Sequence, residues 1–188
     1  MSPDANLSFS DMKLRPPLPP LSDGTVTLRE LTAADVPAVT AACRDPEIVR
    51  WTTEIPEDYT EEHARGWIES TRSGWEKGSA EFAITETATD AVAGAIGLVE
   101  RKEWIAEIGY WVAVPFRGRG LATRALGLVA EWGHSLGFVR LQLTMLLGND
   151  ASARVAAKCG FVEEGVLHGY AKQRGAIRNV SMWSRVQH

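Results

Sequence analysis

Cysteine is nearly absent, with Cys43 and Cys159 the two thiols in 188 residues. Two thiols so far apart in sequence cannot build a disulfide framework, and no Cys/His spacing matches a zinc site, so no metal is expected. Positive charge is not in excess: 20 Lys and Arg face 24 Asp and Glu, a formal charge of −4. That balance gives no general attraction to polyanions, which argues against nucleic acid as the main partner. Long apolar runs are missing too. The longest nearly apolar stretch, Val92–Val99, is far too short to cross a bilayer, so no membrane partner is expected. The first residues lack a basic stretch followed by an apolar run, so no secretory signal is visible, and a reduced, cytoplasmic protein is the simplest expectation. No internal repeat is evident.

What is present is enough for one globular core, since 45% of the residues are hydrophobic. Pro3, Pro16, Pro17, Pro19 and Pro20 crowd residues 1–22, which therefore read as a tail or an extended arm packed on the domain. The domain is expected over 23–188, with order beginning near Gly24. Val26 and Leu28 alternate with polar neighbours as in a half-buried strand. Thr32 followed by Asp35 marks a helix start running to about Arg44. Thr60-Glu61-Glu62 opens another helix, with Ala64, Trp67, Ile68 and Thr71 on one face. Strands are expected over Ala80–Glu86, Val92–Val99 and Ala106–Val114, the last stopped by Pro115. Leu121, Ala125, Leu128, Val129, Trp132 and Leu136 recur at helical steps until Gly137. Val139, Leu141, Leu143 and Met145 alternate in the manner of a strand. A short helix over Asp150–Cys159 and strands over Phe161–Val166 and Ile177–Val186 complete a mixed α/β (α+β) domain around one sheet.

The central signal is the run Val112 to Thr123, where a strand ends, Arg117-Gly118-Arg119-Gly120 turns, and a helix begins with Leu121-Ala122-Thr123. Glycine lets the backbone approach a ligand closely, and the first helical N–H groups have no partner inside the helix. Those donors and the positive end of the helix dipole form an anion site, and two arginines add charge and bidentate reach. A tight turn with two solvated arginines is the bland alternative. A dinucleotide fingerprint is the sharper one, but it requires an acid at the end of the next strand, where this chain has Arg140, Gln142 and Thr144.

Arg117-Gly118-Arg119-Gly120-Leu121-Ala122 resembles the acyl-CoA motif of the GNAT N-acetyltransferase superfamily: Gln or Arg, two residues, Gly, one residue, then Gly or Ala. A second block is similar to the RimJ/RimL branch, which includes ribosomal-protein N-terminal acetyltransferases. It comprises Asn149 and Ser152, then Lys158-Cys159-Gly160-Phe161 and Glu164-Gly165. With Leu28-Arg29 and Glu107 to Trp111, the likeness spans roughly residues 24–186.

The resemblance implies a mostly antiparallel sheet of about seven strands, flanked by helices and split into a wedge that takes acetyl-CoA. It implies that Val112 and Val114 bond the pantetheine and that Arg117 through Thr123 hold the pyrophosphate, with Asn149 and Ser152 also at the cofactor. Glu107 is the first candidate for general base and Glu103 the second, with a structural carboxylate as the equal alternative for Glu107. The position where many members carry tyrosine is Ala156 here; Ser152, as matched in the RimJ/RimL branch, is the candidate donor to the leaving thiolate, directly or through water, with a first-turn serine bonding local backbone as the equal alternative. Asn149 orients cofactor or substrate, caps its helix, or does both. Arg124, Arg154 and Lys158 are further candidates for the phosphates. Trp51, Trp67, Trp75 and Trp104 border the implied acceptor cleft, while Trp132 and Trp183 belong to the core. Glu54, Glu57, Asp58, Glu61 and Glu62 form either an attractant for a cationic acceptor or a solvated stretch. The implied reaction moves an acetyl group to a primary amine, preferably the N-terminal α-amine of a protein or peptide. A small amine or a CoA-binding module without catalysis is the alternative. A monomer or homodimer is expected.

Overall fold

A computed structural model describes residues 14–187. The N-terminal part of the proline-rich segment, 1–13, lies outside the described residues. Order does not begin at Gly24: Leu21–Ser22 is already a short strand, β1, paired with β2 (Val26–Arg29). Asp23 tightens that turn by accepting hydrogen bonds from the amides of Thr25 and Val26, each at 2.9 Å. Leu14 is also buried in the main core.

The remaining elements are α1 (Val36–Cys43), α2 (Pro46–Trp51), α3 (Glu61–Gly74), β3 (Ser79–Glu86), β4 (Val92–Lys102), β5 (Ile105–Val112), α4 (Leu121–Ser135), β6 (Arg140–Leu146), α5 (Asp150–Lys158), β7 (Val162–Gln173) and β8 (Ala176–Val186). One eight-stranded sheet, rather than about seven strands, runs in the order β1-β2-β3-β4-β5-β6-β8-β7. Every neighbouring pair is antiparallel except β5 with β6.

Local chemistry accounts for the helix starts. Thr60 accepts a bond from the His63 amide while the His63 ring accepts one from the Thr60 amide, a reciprocal cap for α3. Asp45 accepts from the Glu47 amide at 3.1 Å and Pro46 follows it, which starts the unexpected α2. Helix α4 lies on one face of the sheet through Leu121, Ala125, Leu126, Val129, Ala130 and Trp132. It approaches closely because Gly133 has no side chain: a methyl group there would meet Leu98 at 2.9 Å and Leu141 at 3.0 Å. The opposite face carries a second cluster in which Val36, Val39 and Cys43 of α1 and Ala64 and Ile68 of α3 pack over Ala83.

Two strands are longer than the sequence pattern suggests. β7 reaches Gln173 and β8 starts at Ala176, joined through Arg174 and Gly175 at φ of +45° and +81°. Two successive positive φ values are what a tight two-residue hairpin needs. Gln173 anchors the hairpin by donating to the carbonyls of Arg50 and Thr52 at the end of α2.

Candidate active site

The parallel ladder between β5 and β6 is only three residues long, pairing Ile105, Ala106 and Glu107 with Arg140, Leu141 and Gln142. Beyond Glu107 the two strands part. β5 remains paired with β4 up to Val112 on its other side. Ala113 donates to the carbonyl of Ala93. By strand alternation, Tyr110 and Val112 therefore turn their amides and carbonyls into the gap. Buried backbone groups of this kind need partners. The Val112 carbonyl has one, the Nε of Arg117 at 3.0 Å.

β5 stops at Val112, two residues earlier than its pattern suggests. Val114–Phe116 forms a single 3-10 turn, in which the Arg117 amide donates to the Val114 carbonyl. Val114 is therefore not a ladder residue; its side chain is exposed and lies outside the cavity lining. Gly118 and Gly120 follow at φ of +72° and +77°. Glycine adopts that region without penalty, and a side chain on either would point into open space. Among the described residues, no acceptor meets the amides of Gly118, Arg119 or Gly120. They continue into the partnerless first-turn amides of Leu121, Ala122 and Thr123, the positive end of the fifteen-residue α4.

These amides rim a cavity of about 410 Å³ in the gap. Of the expected cofactor residues, Val112, Arg117, Gly118, Gly120, Leu121, Ala122, Thr123, Asn149 and Ser152 line it, while Val114 and Arg119 do not. The two arginines are held by carboxylates, Arg117 on Asp45 and Arg119 on Glu86. Arg124 is likewise paired with Asp23 at 2.7 Å. Arg154 and Lys158 of α5 line the same cavity and have no carboxylate partner among the described residues. A diphosphate fits here: a row of open amides, a helix N-terminus and two unneutralised cations face one space.

Asn149 is the cap of α5, accepting from the Ser152 amide at 3.2 Å. Its side chain thus does the structural work expected of it while still bordering the cavity. Glu107 lies on β5 as expected but is occupied. Its carboxylate accepts from Arg101 Nε at 2.9 Å, Thr144 Oγ1 at 2.9 Å and Gln142 Nε2 at 3.4 Å, and it is not among the lining residues. Glu103 sits in the β4–β5 turn and is exposed. Of the tryptophans expected at the acceptor cleft, Trp51 lines the cavity, as does Trp111, whereas Trp75 lies in the core instead. It is 4% exposed and packs edge-on against Phe82 and Trp132 in the core. Trp67 packs in the α1–α3 cluster and Trp104 is exposed. Trp132 sits in the core and Trp183 packs against it.

Two residues escaped the sequence reading. Tyr110 shares with Val112 the face of β5 that looks toward α4 and α5, and its hydroxyl lies 3.4 Å from the Ser152 carbonyl. Burial pushes its pKa up to about 12, so it remains a proton-bearing donor in the cavity. Glu81, on β3, is raised to about 7, mainly by burial and additionally by the charge of Glu54. Neither cysteine suits a nucleophile, since burial raises both, Cys43 to about 12.

Comparison with known proteins agrees with this geometry. The acetyltransferase (GNAT) domain model matches residues 25–162. An uncharacterized N-acetyltransferase of Bacillus subtilis, YoaA, is 29% identical over 173 residues, covering 90% of this chain and 97% of its own. The ribosomal-protein-serine acetyltransferase of Escherichia coli is 29% identical over 100 residues, 52% of this chain and 56% of its own. Among solved structures, the microcin C7 self-immunity acetyltransferase MccE, in complex with acetyl-CoA and AMP, superposes with a TM-score of 0.79 at 20% identity. That match covers 89% of this chain and 94% of MccE. RimL, a ribosomal L7/L12 alpha-N-protein acetyltransferase in complex with coenzyme A, does so at 0.78 and 21%, covering 89% and 96%. With a split mostly antiparallel sheet, an open-amide turn at the start of α4 and a family match over most of its length, the chain belongs to the GNAT acetyltransferases and is an acyltransferase.

Proposed function

We propose that the protein acetylates the N-terminal α-amine of a protein or peptide. Acetyl-CoA is the acyl donor, as for GNAT enzymes. The observation that carries this reading is the break in the β5–β6 ladder beside the open amides of Gly118 to Thr123. The pyrophosphate would lie on those amides, with Arg154 and Lys158 adding charge. The pantetheine, running as a pseudo-strand, would meet the backbone of Tyr110 and Val112.

The amine nitrogen forms a bond to the thioester carbonyl carbon, the carbon–sulfur bond breaks, and the amine surrenders a proton as the thiol leaves. Gap-facing amides on β5 polarise the carbonyl, and the Tyr110 hydroxyl, turning from the Ser152 carbonyl to which it now donates, donates toward the departing sulfur. Ser152, which lines the same cavity beside Tyr110, is the second donor.

The α-amine is preferred because likeness to acetyltransferases of ribosomal proteins recurs in both sequence and structure. A small-molecule amine is the second reading, favoured by the equal likeness to MccE, a self-immunity acetyltransferase. Thiol release from acetyl-CoA, measured over unblocked peptides, their N-acetylated forms, polyamines and amino acids, decides between them. Turnover confined to unblocked peptides supports the first reading; turnover confined to small amines replaces it with the second.

A further inference from the structure

On the face of the sheet opposite α4, three residues stand side by side across three strands. Glu81 of β3 pairs with Gly97 of β4, and Gly97 with Gly109 of β5. The Glu81 side chain lies over Gly97, because a methyl group on Gly97 would collide with both of its carboxylate oxygens. Neighbouring strands are about 4.8 Å apart, so the carboxylate stands about one strand spacing from Gly109. Nothing lies within 4 Å of the side-chain position at Gly109. Just beyond Gly109 is the gap between β5 and β6. A carboxylate and a strip of bare backbone thus lead across the sheet toward the wedge, from outside the lining of the 410 Å³ cavity.

The Glu81 carboxylate has no hydrogen-bond donor among the described residues. That sets it apart from Glu107, whose oxygens are taken by Arg101, Thr144 and Gln142. The charged group that acts on Glu81 is another acid, Glu54, from the segment between α2 and α3. The cations on this face, Arg29, Arg101 and Arg140, are each held by carboxylates, Asp35 and Asp90, Glu107, and Glu164 in turn. Cys43 of α1 and Tyr59 are both kept neutral by burial, and the buried residues of α3 are Ala64, Ile68 and Thr71. A half-buried, unpaired carboxylate beside a second carboxylate is relieved by a proton or by a visiting cation.

We propose that Glu81, with Glu54 beside it, receives the ammonium group of the acceptor and removes its proton, and that Gly97 and Gly109 keep open the lane by which the resulting amine reaches the thioester. This rests on the amine-acetylation reading and names its proton acceptor. The ammonium gives one proton to the Glu81 carboxylate, leaving a neutral amine and a carboxylic acid. The amine then forms its bond to carbon as the carbon–sulfur bond breaks. Its second proton passes to the thiolate, and Glu81 later returns the first to water. A carboxyl group poised near neutrality suits that exchange with an amine titrating at about 8.

The test compares wild type, Glu81→Gln, Glu107→Gln and Gly109→Ala with the best amine from the panel. Coenzyme A affinity by calorimetry and melting temperature are measured alongside. Wild-type kcat/KM should rise about tenfold per pH unit below pH 7 and fall again above about pH 8, as the acceptor loses its ammonium form. Glu81→Gln should lose about 100-fold or more at pH 7 and replace the bell by a single rise that levels only near pH 8, where the free amine titrates, with coenzyme A affinity unchanged. Glu107→Gln should keep the bell. Gly109→Ala, which meets no atom in the fold, should raise KM for the amine while melting temperature and coenzyme A affinity hold. A Glu81→Gln enzyme with the wild-type pH profile, or an unaltered KM in Gly109→Ala, overturns the inference and leaves the acetylation reading standing. No turnover of any amine by wild type overturns that reading and the inference with it.

Discussion

Alanine at position 120 separates phosphate binding from folding. Gly120 has a φ of +77°, and no atom lies within 4 Å of where a β-carbon would sit. The substitution therefore meets no clash, and its effect on stability is backbone strain alone, about 1–2 kcal/mol for an L-residue held in the left-handed region. For a domain of this size each kcal/mol lowers Tm by about 2–4 °C, so the expected fall is about 2–8 °C. At 25 °C a protein weakened by that amount is still folded. If the open amides around Gly120 hold a diphosphate, the new methyl group occupies the ligand's approach. Losing even one hydrogen bond to a charged group, about 1.5–3 kcal/mol, weakens binding about ten- to 150-fold. Gly24 supplies the matched control. It has φ of +84°, equally open space, and a position in the β1–β2 turn away from the cavity. Titration calorimetry with coenzyme A and differential scanning fluorimetry on both variants should show the same drop in Tm but weakened binding in Gly120→Ala alone. Equal affinities in the two variants would refute the assignment of the turn as the phosphate site.

Asp35 should govern part of the acid sensitivity. It is raised by burial but lowered more by hydrogen bonds from Arg29 and Thr32, so its net pKa is below the usual carboxylate value. A depressed folded pKa stabilises the fold above the unfolded value near 3.8, and the gain is lost as pH falls through the folded value. Asp35→Asn should therefore lower stability at pH 7 by about 3 kcal/mol and flatten the decline of Tm below about pH 4. Gly66, inside α3 with open space around it, should stabilise the protein by about 0.5–1 kcal/mol when replaced by alanine, read by urea denaturation. Glu107→Ala should destabilise by about 1–3 kcal/mol, because it removes the acceptor that Thr144 and Gln142 of β6 share across the short ladder. An unchanged Tm would mean that these bonds contribute nothing to joining the halves of the sheet.

The elements legible in the sequence were those whose pattern is local. The helix expected from Leu121 to Leu136 is α4, Leu121–Ser135, because its apolar spacing and terminal Gly137 are read along one stretch. The glycine–arginine turn was visible for the same reason, since positive φ and a helix start are properties of adjacent residues. Helix α2 was missed although Asp45-Pro46 marks its start, because six residues are too few to show a period. The length of β7 was hidden because most of its side chains are exposed and its order comes from pairing with β8. Roles set by register were not legible. Nothing in the sequence near Glu81 announces that Gly97 and Gly109 lie beside it, nor does anything near Glu107 announce Thr144. Trp75 was misplaced for a related reason, since its partners Phe82 and Trp132 are brought to it only by the fold.

The three-pair junction between β5 and β6 also has a mechanical meaning. On one side of it lie five strands and on the other three, each group zipped by longer antiparallel ladders such as the seven pairs of β6 with β8. Such an assembly concentrates its compliance at the seam, where the fewest backbone bonds resist shear. A molecule that completes the interrupted ladder acts as a rivet between the two plates, so occupancy should slow amide exchange along both flanks of the seam, including residues the molecule never touches.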